Sequence, residues 1–282
     1  MVKFGTGGNP EAFSEAGYKS SVDMPEYLDS IGLNAYEYEC TKGVKMKKET
    51  AVKLGENAEK YGITLSVHSQ YYISLSGKEE EKRLKSVDYI MECMELSKII
   101  GAKRVVVHSG SAGKMHRETA MELAKDTLLK TSLKVKELGY SGISICPETM
   151  GKINQLGTVE EVIELCRVDD SFLPAIDFGH VNSRYGGCLK TVSDYEEILD
   201  KIENGLGFDR LKNMHVHFSK IEYSVGGEVK HLTFEDDKFG PEFEPLAELI
   251  LRKNLTPVII CESAGTQGID ALYMKKCYEN LK

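Results

Sequence analysis

No apolar run in this chain approaches the roughly 20 residues that a membrane span needs. A transmembrane helix is therefore not expected. A secretory leader is not expected either, since Met1-Val2-Lys3-Phe4-Gly5 runs directly into a strand-like segment. No CxxC pair is present, which argues against a thiolate zinc site. The seven cysteines are scattered and odd in number, as in a reduced, cytoplasmic protein. Positive charge is in deficit: 36 Lys and Arg stand against 44 Asp and Glu, a net −8. That balance argues mildly against a nucleic-acid binder but says nothing about a local basic face. Nucleophile elbows, linkers and low-complexity segments are also missing, and Gly5-Thr6-Gly7-Gly8 lacks the spacing of a dinucleotide fingerprint.

What is present is an alternation. Short apolar runs at 2–6, 35–40, 64–68, 104–108, 142–148, 174–178, 213–218 and 257–262 predict eight strands. Several are too continuously apolar for a one-sided sheet, as parallel strands covered by helices should be. Helical patterns fill 49–61, 79–100, 118–138, 158–167, 193–204, 242–253 and 269–281. Leu84, Val87, Met91 and Met94 are expected on one buried face, and Ala124, Leu128, Val135 and Leu138 on another. Thr158 and Glu161 read as a capping box. Gly32, Gly62, Gly101 and Gly139 read as left-handed helix stops. The pattern predicts one (β/α)8 barrel domain over residues 1–282. The stretch 219–241 has no period and reads as a functional loop.

The chemistry lies at the strand ends. Strand three ends at His68, strand four at His108, strand five at Glu148, strand six at Asp177 with His180 beyond it, and strand eight at Glu262. Strand seven carries His215 and His217, which alternation puts on one side. His217 reads as a ligand, a support for a ligand, or part of a barrel layer. His231 lies in the long loop. Strand ends of such a barrel converge on one mouth. Imidazoles and carboxylates without thiolates suit zinc, manganese or iron, and there are enough of them for two or three ions. Ser109-Gly110-Ser111-Ala112-Gly113 could form an anion-binding nest. The loop 41–48 is basic, with Lys45 and Lys47 as candidate phosphate contacts. Lys114, Arg117, Lys152, Arg184, Lys220 and Lys230 are expected in loops around the same mouth.

These residues resemble the endonuclease IV family, zinc-dependent apurinic/apyrimidinic endonucleases built on a xylose-isomerase-like TIM barrel. The likeness runs through His68-Ser69-Gln70-Tyr71, His108-Ser109-Gly110-Ser111, Pro147-Glu148-Thr149, Asp177-Phe178-Gly179-His180, Met214-His215 and Cys261-Glu262-Ser263. By that resemblance His68, His108 and Glu148 hold one zinc, and Glu148, Asp177, His215 and Glu262 a second; His180 and His231 hold a third. It further implies cleavage 5′ to an abasic site in double-stranded DNA by a metal-activated hydroxide. Glu148 and Glu262 are then catalytic, and Tyr71 and Tyr72 enter the DNA. A monomer without membrane contact is expected.

The chain departs from that family in two places. Val229 stands where the family has an aspartate two residues before the last histidine, so one ligand is missing, with Glu228 or His217 as substitutes. This predicts a weak third site that Val229→Asp would strengthen. His215-Val216-His217-Phe218 also replaces the usual His-x-Asn-Asp. A sugar isomerase or epimerase on the same barrel is the alternative, with Glu148, Asp177, His215 and Glu262 around one ion and the two glutamates moving a proton. A metal- or DNA-binding protein that has lost catalysis is the third reading.

Overall fold

The computed structural model describes residues 1–282. Ten strands occur in chain order: β1 (Lys3–Gly7), β2 (Ala35–Glu39), β3 (Thr64–His68), β4 (Arg104–His108), β5 (Ser144–Glu148), β6 (Ala175–Asp177), β7 (His215–Phe218), β8 (Ile221–Ser224), β9 (Gly227–His231) and β10 (Val258–Cys261). Eight of them close a parallel barrel in the order β1-β10-β7-β6-β5-β4-β3-β2, the (β/α)8 TIM barrel that the alternation predicts. Both faces of these strands are covered, which explains runs such as Val105-Val106-Val107, all fully buried. No helix is long and apolar enough to cross a membrane. All seven cysteines are free, five of them buried.

The helices end where the glycines said they would. Gly62 and Gly101 sit at φ 67° and 79°, a left-handed conformation that costs glycine little. The Thr158–Glu161 capping box forms in both directions. Two exposed leucines correct the expected faces. Leu84 is 46% exposed because it falls at the margin of a stripe centred on Val87, Ile90 and Met94. Leu138 caps its helix rather than continuing it, and is equally exposed.

The stretch 219–241 is not irregular throughout. It contains the antiparallel hairpin β8–β9, which leaves the barrel and folds over its mouth. The hairpin docks on the loop after β5: Glu228 N donates to Gly151 O at 3.2 Å and Ile153 N to Gly226 O at 3.3 Å. Gly227 makes this approach possible. Its φ is +89°, and a Cβ there would lie 2.2 Å from Gly151 O. A seven-residue helix, Phe178–Arg184, follows β6 directly and carries His180. The continuous strand-like appearance of Pro174 to Phe178 concealed it.

Candidate metal centre

The mouth forms a polar cavity of about 230 Å³ lined by Glu39, His68, His108, Glu148, His180, Glu228, His231 and Glu262, among others. Four sets of side chains there bring ligand atoms within 4.8 Å of one another: His68–His108–Glu148, Glu148–Asp177–His217–Glu262, His180–Glu228–His231 and His68–His217–Glu262; a fifth, Glu37–His215–His217, lies beneath them. Glu148 belongs to the first two. Its Oε2 lies 3.5 Å from both His68 Nε2 and His108 Nε2, and its Oε1 2.8 Å from His217 Nδ1.

Seven of the eight sequence-predicted ligands meet at this mouth; His215 does not. It lies one layer down, fully buried, with Nε2 3.0 Å from Glu37 Oε2 and 3.1 Å from His217 Nε2. The register explains the placement. Asp177 pairs with His217, while His215 pairs with Ala175. A period of two places both histidines inside the barrel, but only the stagger between strands decides which one reaches the carboxylates.

Glu228 takes the place of the missing acid. In a regular strand, residues three apart face opposite sides, so Glu228 and His231 could not share a site. The pairing of β8 with β9 skips Val229: Glu222 faces Lys230 and Tyr223 faces Glu228. This bulge turns Val229 to solvent, 50% exposed, and brings Glu228 round to His180, 3.5 Å away. An aspartate at 229 would point away from His180 and His231, contrary to the expectation from spacing alone.

Several side chains fix the ligands. His68 Nδ1 contacts Ser69 O at 2.9 Å, and His180 Nδ1 contacts Thr149 O at 2.9 Å. His231 Nδ1 contacts Ser219 Oγ at 2.8 Å. Each leaves its Nε2 for the site, as ligating histidines require. Asp177 Oδ1 accepts from His180 N at 2.8 Å. Ser109, where the resembled family has proline, donates to Glu148 O at 2.6 Å and ties β4 to β5.

The charges are mutually dependent. Burial pushes the Glu262 carboxyl up, and Glu148 and Asp177 add to it, to about 8. Burial would depress the His68 and His180 imidazoles, yet neighbouring carboxylates outweigh it and lift them to about 10 and about 9. Burial holds His108 down at about 4. Glu148 Oε2 and Asp177 Oδ2 are buried without a hydrogen-bond partner. Orphaned anionic oxygens of this kind cost several kcal/mol unless a cation neutralises them. The nitrogen and oxygen donors, the short spacings and these orphans fit divalent ions.

The DNA-contact candidates divide. Tyr71 lines the cavity and is 60% exposed. Tyr72 does not line it; its ring packs edge-on against Tyr71 and Tyr89. Lys45 and Lys47 are exposed and outside the cavity, while the neighbouring Val44 and Met46 pack inward. Lys152 lines the cavity. Arg117, Arg184 and Lys220 are used internally, and the first two clamp the loop after β5. Arg117 pairs with Glu161, Arg184 donates to four carbonyls between Met150 and Gln155, and Lys220 pairs with Glu242. The segment after His108 is no open nest, since Ser111 N, Ala112 N and Gly113 N are already bonded.

Glu37 is the residue that sequence reasoning missed. It is fully buried at the centre of β2, below the mouth. Within Ala-Tyr-Glu-Tyr-Glu-Cys it reads as one of two solvent-side acids of an alternating strand, and nothing local distinguishes it from Glu39.

Known proteins bear on this geometry. Across its whole length the chain is 34% identical to an uncharacterised protein of Methanocaldococcus jannaschii, covering 98% of that protein. It is 29% identical over 231 residues to a probable endonuclease 4 of Mycoplasma pneumoniae, covering 77% of this chain and 73% of the relative. The crystal structure of a D-tagatose 3-epimerase-like protein superposes with a TM-score of 0.75 at 19% identity, covering 99% of this chain and 98% of the other. That likeness speaks for the fold alone. With residues 25–276 matching the family described as xylose isomerase-like TIM barrel, the chain belongs to that family.

Proposed function

We propose that this protein is a divalent-metal-dependent endonuclease that cuts the phosphodiester 5′ to an apurinic/apyrimidinic site in double-stranded DNA. The observation that carries this reading is the His180–Glu228–His231 set beside the four-residue set of Glu148, Asp177, His217 and Glu262. A sugar-isomerising site with one ion has no use for the former. The Mycoplasma relative, a probable endonuclease 4, supports the same reading. His68, His108 and Glu148 would hold one ion, Glu148, Asp177, His217 and Glu262 a second, and His180, Glu228 and His231 a third. Zinc suits these donors, as would manganese or iron. Such ions would supply positive charge against the phosphate and acidify a water near neutral pH. Glu148, common to two sets, would orient a water toward phosphorus. Glu262 completes the second set opposite it. Tyr71 at the rim would cover the gap left by the absent base, and Lys152 would face the phosphate backbone.

A second reading, a divalent-metal sugar epimerase, is favoured by one feature: the four-residue set is complete in itself and opens into a cavity of about 230 Å³, small enough for a monosaccharide. One experiment separates the two. Zinc-loaded protein is given duplex DNA with a single synthetic abasic site and, separately, a panel of ketohexoses. Incision 5′ to the lesion, lost in Glu228→Gln, supports the nuclease. Intact DNA together with ketose epimerisation that survives Glu228→Gln replaces it with the epimerase.

A further inference from the structure

The loops that leave the mouth differ in charge from one side of the barrel to the other. Segments 40–47, 69–78, 109–116 and 149–158 follow β2, β3, β4 and β5, four neighbours in the ring. None of them contains an aspartate or a glutamate. At the chain's average of 44 acids in 282 residues, their 36 positions would hold about six. The first acids beyond them, Glu49, Glu79, Glu118 and Glu160, sit at the cap or in the first turn of the next helix, where the helix dipole favours an anion. The same loops carry Lys42, Lys45, Lys47, Lys78, Lys114 and Lys152, all exposed. None of the six is in an ion pair, whereas Lys82, Arg117 and Lys230 in adjoining segments are held by Glu79, Glu161 and Glu222.

The four loops are fastened to one another in order. Gly43 lies against Tyr72, since a Cβ there would sit 3.3 Å from the Tyr72 hydroxyl. Ser76 Oγ donates to Ser111 O at 2.6 Å and accepts from Ser111 N at 2.9 Å. Ser111 Oγ donates to Asn154 O at 3.0 Å. Thr41, Tyr71 and Lys152 line the cavity, so this run of loops borders the metal ligands. The other side of the mouth has the reverse sign. β7 stands opposite β3 in the ring, and the segment after it, 219–241, holds Glu222, Glu228, Glu235, Asp236 and Asp237.

We infer that the joined loops after β2 to β5 form a track for one sugar–phosphate strand of DNA, with the β7 side of the mouth left free of it. A strand bearing a charge every ~3.4 Å suits unpaired cations spread over four joined loops better than a single small anion does. The net charge of −8 does not prevent this. At ~0.15 M salt the Debye length is about 8 Å, so each phosphate feels the loop beneath it and little of the distant acids. Tyr71, 60% exposed and steadied by edge contact with Tyr72, offers a base an aromatic face beside the track. The inference rests on the DNA substrate of the proposed function and adds which side of the mouth the strand follows.

Binding is measured by fluorescence anisotropy with zinc-loaded protein, on duplexes with and without the abasic site, over a range of salt concentrations. Lys78→Glu combined with Lys114→Glu, both outside the cavity and the metal sets, should weaken binding of both duplexes at least about tenfold at ~0.1 M salt and flatten the salt slope by about one to two. The corresponding alanine pair, which removes the charges without adding new ones, should flatten the slope likewise. Lys238→Glu, at an exposed lysine in the segment after β7, should leave the slope as in wild type. Zinc content should match wild type in every variant, which separates lost phosphate contacts from a damaged mouth. An unchanged slope in the Lys78 and Lys114 variants, or an equal loss in Lys238→Glu, would overturn the track. So would a wild-type protein that binds neither duplex. Duplex binding with the expected slopes but without incision would sink the nuclease reading and leave the track in place.

Discussion

Glu262 shows how a single residue can serve binding at the expense of stability. Its folded-state pKa of about 8 lies above the ordinary carboxylate value of 4.5 because burial and two carboxylates oppose its ionisation. The folded chain therefore holds that proton more tightly than the unfolded chain. This contribution to stability is complete below pH 4.5 and is lost as pH rises through 8. In chelator-treated protein, Glu262→Gln should melt higher than wild type at pH 8 and differ little at pH 4.5. Excess zinc should reverse the order at pH 8, because wild type gains ligand stabilisation that the variant lacks. Thermal melts at the two pH values, with and without zinc, check this; a variant that melts lower than wild type at pH 8 without metal contradicts it. Glu148→Gln removes the anion common to two sets. It should cost at least about a hundredfold in incision rate at saturating metal. A loss under tenfold would leave Glu148 out of the chemistry.

At the scale of the element, the hairpin β8–β9 decides whether Glu228 and His231 reach His180. Its bulge at Val229 is what lets Glu228 and His231 share a face. Deleting Val229 leaves Glu228 two residues before His231, the spacing at which a regular strand keeps both on one face, so ion content and melting temperature should stay nearly unchanged. Val229→Asp should leave ion content unchanged. Atomic absorption on protein purified without chelators checks both; an ion gained by Val229→Asp would show that the bulge does not persist in solution. The strand ends themselves were legible beforehand, since His68, His108, Glu148, Asp177 and Glu262 each stop an apolar run. The hairpin was not, because its residues Ile221-Glu222-Tyr223-Ser224 and Gly227-Glu228-Val229-Lys230-His231 alternate too briefly to suggest strands without their partner.

Across the whole molecule, charge is arranged against nucleic acid. The net charge is −8 and the mouth is lined by four glutamates. Exposed cations remain outside the cavity, Lys45 and Lys47 among them. Chelator-treated protein should therefore lose most of its affinity for abasic duplex, and zinc should restore it. Charge reversal at Lys45 and Lys47 should reduce the salt slope of binding by about one to two. Titrations by fluorescence anisotropy over a range of salt concentrations check both; an unchanged slope would move the DNA contact elsewhere on the surface.

By itself the sequence determined the barrel and the end of it at which histidines and carboxylates gather. Those features follow from local periodicity and from the residue at which each apolar run stops. Tertiary structure decided three things. It placed His217, and not His215, beside Asp177 through the stagger of β7 against β6. It recruited Glu228 through a bulge defined by pairing with β8. It brought Glu37 from β2 to His215 and His217 on β7 across the barrel interior. Each of these is a relation between strands distant in the chain, and side-chain alternation along one strand specifies a face but not a height, a partner or an inserted residue.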